Sequence, residues 1–326
     1  MNLTEMHWRR LVFVGTLLAV LALAACAVAP TETVQSVTPL PEGTATLLPT
    51  PLDTSPPQPS ATPTCTVTPA PTVIPTLAPD EWKTLPVVPT ISDRTRQIYQ
   101  TGLALGNDPK AFSKVGDCES RTTWFLWDFD QASNLYSLGS YTELEGVIDH
   151  YQGSFGRLSQ VAKPGFTAAS VMTSLWADKE QCQKDETPLA CEYRQHKPSV
   201  ALITLGTNDV SRPETFEQNL RMVIEYSIEK GVVPILATKA DNLEGDHRIN
   251  AVIAALAREY QIPLWNFWLA VQPLPDHGLQ DDGVHLTFAM NQFGDPLAMR
   301  NAWPVRNLTA LQVLDAFWKA VSEDEQ

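Results

Sequence analysis

The chain has 326 residues, of which 44% are hydrophobic, and it carries 26 prolines, five cysteines and a formal net charge of −14. That sign disfavours a nucleic-acid partner, because phosphate binding needs a basic surface. The prolines crowd into the first third, which excludes reading the chain as one folded unit from end to end.

In chain order, the opening "MNLTEMHWRRLVFVGTLLAVLALAAC" has Arg9 and Arg10 and then an apolar run from Leu11 to Ala25. A charged start followed by about 15 apolar residues is the pattern of an export signal and is short for a bilayer span. The run closes on Leu23, Ala24, Ala25 and Cys26, which resembles the lipobox of bacterial lipoproteins. The resemblance implies that Cys26 is lipidated, anchoring the mature chain to the cell envelope on its extracellular side. Residues 1–26 are therefore assigned to the signal peptide and its lipobox cysteine.

Residues 27–90 hold 15 of the 26 prolines, interleaved with threonine and nearly free of charge. A segment of that composition cannot bury enough apolar surface to offset its ordering entropy, so it reads as an extended, disordered linker. Residues 91–326 form the folded part, long enough for one large α/β domain, with a formal charge of −11. Among the cysteines, Cys182 and Cys191 flank the polar stretch "QKDETPLA" and are expected to form a disulfide in an oxidising compartment. Cys65 falls in the linker and Cys118 at a strand end.

Within the folded part, apolar runs of strand length alternate with amphipathic runs of helix length, which implies crossover units and a parallel sheet. Strands are expected at Phe112–Gly116, Gln160–Ala162, Val200–Leu205, Val232–Ala237 and Pro263–Phe267. Helices are expected in "PETFEQNLRMVIEYSIEKG", "DHRINAVIAALAREY" and "NLTALQVLDAFWKAV", the last with Asn307 as its cap. In a doubly wound sheet the ligand site lies at the carboxyl ends of the strands. Cys118, Asn208 and the loop "TKADN" (238–242) all follow strands and so converge on one edge.

Three blocks stand out: "GDC" at 116–118, "LGTND" at 205–209 and "DDGVHLT" at 281–287. Their order and character resemble the SGNH, or GDSL-type, hydrolases, esterases and lipases with a Gly-Asp-Ser strand end, a lone glycine, Gly-x-Asn-Asp and a late Asp-x-x-His. The resemblance covers most of residues 110–320. It implies a three-layer α/β/α fold with a flavodoxin-like, mostly parallel five-stranded sheet. It also implies a nucleophile at Cys118, oxyanion donors at Gly165 and Asn208, and a base at His285 supported by Asp282. The chemistry suits these residue types. Acyl transfer passes through an oxyanion that needs preorganised donors, and its base needs an orienting carboxylate. The chain departs from the family at 118, where cysteine stands in place of serine; a thiolate is a strong nucleophile, but its larger sulfur sits differently among donors placed for a hydroxyl.

Other readings remain beside this one. Ser120, two residues on, is an alternative nucleophile. Lys239 and Asn242 lie in a strand-end loop and are candidates for substrate contact. Trp265, Phe267 and Trp268 read as core, with stacking on a sugar the lesser alternative. His277, Asp281, Asp282 and His285 cluster, yet their spacing matches no metal motif, and phosphate loops and dinucleotide fingerprints are absent, so no metal or cofactor is expected. The expected partner is a small-molecule or glycan ester. The rival is a non-catalytic module of the same fold that binds an extracellular glycan or peptide.

Overall fold

The computed structural model describes residues 77–131 and 134–322; the expected signal segment with Cys26, and the linker up to residue 76 with Cys65, lie outside the described residues. Among the described residues, β1 (Asp108–Gly116), β3 (Pro198–Thr204), β4 (Val233–Ala237) and β5 (Leu264–Trp265) pair in parallel in the order β1-β3-β4-β5. A small parallel pair joins β2 (Tyr136–Ser137) to β6 (Asn291–Gln292). β4 is buried throughout and β3 nearly so, as unbroken apolar strands covered on both faces should be.

The helices are α1 (Asp93–Ala104), α2 (Cys118–Arg121), α3 (Glu145–His150), α4 (Pro188–His196), α5 (Pro213–Glu229), α6 (Arg248–Tyr260), α7 (Phe267–Val271) and α8 (Ala302–Ser322). α8 packs with α1, α3 and α7, while α5 packs with α6, which gives the α/β/α layering. α5 shows why the sequence chooses a helix there. Pro213 occupies the first turn, where its missing N–H costs nothing, and Phe216, Leu220, Val223, Ile224 and Ser227 make one buried stripe. Gly231 closes it at φ +65°, pressed so tightly on Gly102 that a Cβ would collide with its backbone.

Three features differ from the sequence reading. The strand expected at Gln160–Ala162 is a single parallel bridge, Gly116 to Ala162, so the main sheet has four strands and a bridge where five strands were expected. Pro164 and Gly165, the latter at φ +79°, turn the chain away at once. Side chains serve the same edge of β1 instead: Ser154 Oγ accepts from Phe112 N, and Arg157 Nη2 donates to Phe112 O at 2.7 Å.

The closing helix starts at Ala302, so Asn307 is no cap. It is buried inside the helix, where its Nδ2 donates to Trp124 O and Asn291 Oδ1 and its Oδ1 accepts from Leu126 N. Pro304 is tolerated because the first turn has no intrahelical N–H partners to lose.

The folded unit also begins before residue 91. A 3₁₀ turn over Glu81–Thr84 buries Trp82 beside His247 and Trp268. Asn266 Nδ2 donates to Trp82 O and Leu85 O, and Asn266 N donates to Val87 O. Trp265 and Phe267 are core, Trp265 Nε1 donating to Thr309 Oγ1. Cys182 and Cys191 are joined by a disulfide.

Candidate active site

β1 ends at Gly116, where a side chain would strike Ser120 and Thr204. Asp117 then caps α2, its Oδ1 accepting from Glu119 N at 3.0 Å. Cys118 is the first helical residue, a free, half-buried cysteine on the wall of a cavity of about 280 Å³ shared with Glu119, Trp124, Gln280, His285 and Trp303. Burial pushes its thiol above the ordinary range, and the Asp117 and Glu119 carboxylates push it further the same way. Ser120 faces the opposite way. It is buried, and its hydroxyl is bonded to Thr204 Oγ1 under the strand end.

His285 stands on a self-braced loop. Gln280 N donates to His285 O at 2.8 Å, Gly283 N donates to Gln280 O at 2.9 Å, and Gly283 takes the φ +69° that this tight turn requires. Asp282 Oδ1 accepts from the N–H groups of Val284 and His285, each at 2.9 Å, while Oδ2 lies 2.6 Å from His285 Nδ1. The bond to His285, with the two backbone donors behind it, lowers the Asp282 carboxyl to about 2. In return Asp282 raises the imidazole above its ordinary value. With Nδ1–H given to the carboxylate, neutral His285 carries its lone pair on Nε2.

Asn208 follows β3 in a 3₁₀ turn. Its Nδ2 donates to Phe166 O at 3.2 Å and, weakly, to Asp117 Oδ2 at 3.5 Å. Asn208 thereby links the turn that holds Gly165 to the residue before Cys118. Gly165 itself faces open space. The five residues thus fall into two groups: Cys118 and His285 share the cavity, with Asp282 bound to the imidazole, while Asn208 bonds Asp117 and the carbonyl of Phe166, the residue after Gly165. Among the described residues, no hydrogen bond joins the Cys118 sulfur to the imidazole.

Lys239 and Asn242 do not line the cavity of Cys118 and His285. Lys239 Nζ is buried between Asp241 Oδ1 and Glu244 Oε2, both at 2.6 Å, and lines a separate small polar cavity. Asn242 Oδ1 accepts from His247 N. Conversely, sequence reading passed over Glu119, Arg306 and Trp124. Glu119 Oε1 accepts from Leu286 N at 3.1 Å and Oε2 from Arg306 Nη1 at 2.9 Å. Arg306 is buried over the rings of Phe125 and Trp303, and Trp124 forms an open wall of the cavity with its ring against Phe288. A lone arginine within the apolar run around "AWPVRNL" was the one signal available.

Residues 149–293 match the model of the GDSL-like lipase/acylhydrolase family, a stretch that includes Gly165, Asn208, Asp282 and His285 and begins after Cys118. Thioesterase 1/protease 1/lysophospholipase L1 of Escherichia coli strain K12 is 31% identical over 99 residues, 28% of this chain and 48% of that protein. The chain thus spans about half the length of the curated relatives it matches. Similar solved structures include the psychrotrophic esterase EstA of Pseudoalteromonas sp., at 14% identity over 63% of this chain and 96% of that one with a TM-score of 0.39. Another is the acetyl xylan esterase AlAXEase, at 15% identity over 65% and 99% with a TM-score of 0.40.

Proposed function

We propose, on the premise that the chain carries a GDSL-like lipase/acylhydrolase domain, that it hydrolyses or transfers an acyl ester through Cys118, His285 and Asp282. The observation that carries this reading is the Asp282–His285 pair, braced at 2.6 Å on the wall of a cavity that Cys118 also lines. In the proposed cycle His285 Nε2 takes the thiol proton as sulfur attacks the ester carbonyl. Collapse of the tetrahedral intermediate leaves a thioester on Cys118 and an alcohol that regains the proton from His285. Water, or an acceptor alcohol, activated by His285 then cleaves the thioester and restores the thiol. The developing oxyanion would draw on the N–H groups of Cys118 and Gly165 and on Asn208 Nδ2, whose 3.5 Å contact to Asp117 is weak enough to yield.

Export and anchoring through Cys26, with the linker as a stalk, place this chemistry outside the cell in the same proposal. An acylated glycan or another extracellular ester is the substrate class that such a position favours. A second reading has one observation behind it. The thiol is pushed up where an activated cysteine is normally pulled down, and this favours a binding module in which Cys118 is inert.

Turnover of p-nitrophenyl acetate and labelling by iodoacetamide, measured on wild type, Cys118→Ala, Cys118→Ser, Ser120→Ala and His285→Ala, separate the two. The catalytic reading expects turnover and labelling that vanish together in Cys118→Ala, with His285→Ala reduced by about 10² to 10⁴. Wild type that neither turns over nor labels favours the binding module. Activity that survives Cys118→Ala and dies in Ser120→Ala moves the nucleophile by two residues.

A further inference from the structure

We infer that Glu119 is a positioning residue: its carboxylate reaches from the turn that bears Cys118 to the backbone of Leu286, and so sets where His285 stands relative to the sulfur. The inference rests on the reading of Cys118 and His285 as the reactive pair. The loop of residues 278–287 is held mostly by itself, through Gln280 N to His285 O, Gln280 Nε2 to Leu286 O, Thr287 N to Gly278 O and the two bonds into Asp282 Oδ1. Such bonds fix the shape of the loop but not its placement. Placement comes from the buried Leu286 side chain and from two polar docking points. At one, Trp303 N and Ala302 N, at the start of α8, donate to Thr287 O and Thr287 Oγ1. At the other, Glu119 Oε1 accepts from Leu286 N, the peptide immediately after His285.

The second oxygen of the same carboxylate accepts from Arg306, which also belongs to α8. Arg306 is 4% exposed and is clamped by the rings of Phe125, Phe267 and Trp303. One side chain therefore triangulates α2, α8 and the histidine loop. Because a misplacement of about 1 Å between reacting groups can cost roughly 10²-fold in rate, a residue that holds this separation affects the chemistry without touching substrate.

Glu119 also carries charge into the site. It faces Arg306 together with Asp117, Asp241 and Lys239 across the small polar cavity, and Cys118 and His285 across the open one. Burial raises its carboxyl to about 7 against the pull of Arg306, and its charge is one of the two that hold the Cys118 thiol up. Glutamine at this position keeps an acceptor for Leu286 N, removes the charge and turns its Nε2 toward Arg306 Nη1, donor against donor, whereas leucine removes both acceptors.

The test measures kcat and KM for p-nitrophenyl acetate, and the pH profile of Cys118 alkylation by iodoacetamide, on the full chain as wild type, Glu119→Gln, Glu119→Leu and Cys118→Ala. Glu119→Leu is expected to lose about 10²-fold in kcat with KM within about twofold, since no substrate contact is removed. Glu119→Gln is expected to recover at least a tenth of the wild-type kcat and to shift the alkylation profile to lower pH. A folded Glu119→Leu variant with kcat within about threefold of wild type overturns the inference, as does Glu119→Gln as slow as Glu119→Leu. If Glu119→Leu does not fold, Glu119→Ala takes its place, and a folded Glu119→Ala with kcat within about threefold of wild type overturns the inference. Wild-type turnover in Cys118→Ala refutes the reading of the site itself, a different result from loss in Cys118→Ala with no effect at Glu119.

Discussion

Replacing Asp282 with asparagine separates the two tasks of that carboxylate. Asparagine Oδ1 can still accept from the N–H groups of Val284 and His285, as the aspartate oxygen does at 2.9 Å, so the turn should survive. Its Nδ2, however, would face His285 Nδ1, donor against donor. The ring then keeps its lone pair on Nδ1 and its proton on Nε2, the wrong nitrogen for a base. In buried serine-protease triads this change costs about 10⁴ in kcat. The site here is more open: His285 is 55% exposed and Asp282 48%. Solvent screens the carboxylate's support of the imidazolium and can hold the ring in other orientations, so the expected loss is nearer 10²-fold. Hydrolysis of p-nitrophenyl acetate across roughly pH 5 to 9 supplies the readout. In wild type Asp282 raises the imidazole above its ordinary 6.5, so the base is lost as pH falls through that raised value. In Asp282→Asn the acid limb should move to lower pH. A variant with kcat within about threefold of wild type, or with its acid limb unmoved, would refute the assignment of Asp282 as the orienting group.

Further outcomes can be checked on the same protein. Trp124→Ala removes a half-exposed ring from the cavity wall and should raise KM for aryl esters by roughly fivefold while leaving kcat within about twofold. Arg306→Met strands the Glu119 carboxylate and should destabilise by about 3 kcal/mol in urea titrations at pH 8. The loss should shrink near pH 5, because protonation of Glu119, whose carboxyl is raised to about 7, removes the unpaired charge. The double variant Cys182→Ser, Cys191→Ser opens a short loop whose ends lie nine residues apart and should cost about 2.5 kcal/mol. It should leave turnover unchanged, since neither cysteine lines the cavity of Cys118.

What the sequence revealed follows from which signals are local. Strand cores such as Val200–Ile203 and helix stripes such as Leu220, Val223 and Ile224 are periodic, and they appear where periodicity put them. The blocks around Cys118, Asn208 and His285 were legible because each is a short motif at a strand end or a turn. Non-local partners were not legible. Gln160–Ala162 looked extended, but nothing local announces that Ser154 and Arg157 satisfy the strand edge beside it. Asn307 looked like a cap because caps favour asparagine, whereas its role is to bond Trp124, Leu126 and Asn291, the first two more than 180 residues away. Lys239 looked like a candidate for substrate contact, but its Nζ is buried between Asp241 and Glu244. Glu119 sat beside the candidate nucleophile in plain view, yet its meaning lies in Leu286 and Arg306.

The substitutes for a fifth strand also bear on how copies of this domain behave at close quarters. A parallel sheet has two edges, and each unpaired edge is a template for another chain. At β1, Ser154 and Arg157 occupy the amide and carbonyl of Phe112, and the bridge to Ala162 occupies Gly116. At β5, the segment through Val87 takes the N–H of Asn266. At these positions the edge is already occupied, which shortens the ladder open to a neighbouring copy and hinders strand-to-strand association. Truncation before residue 91 would uncover the β5 side and should turn a well-behaved domain into one that associates as its concentration rises.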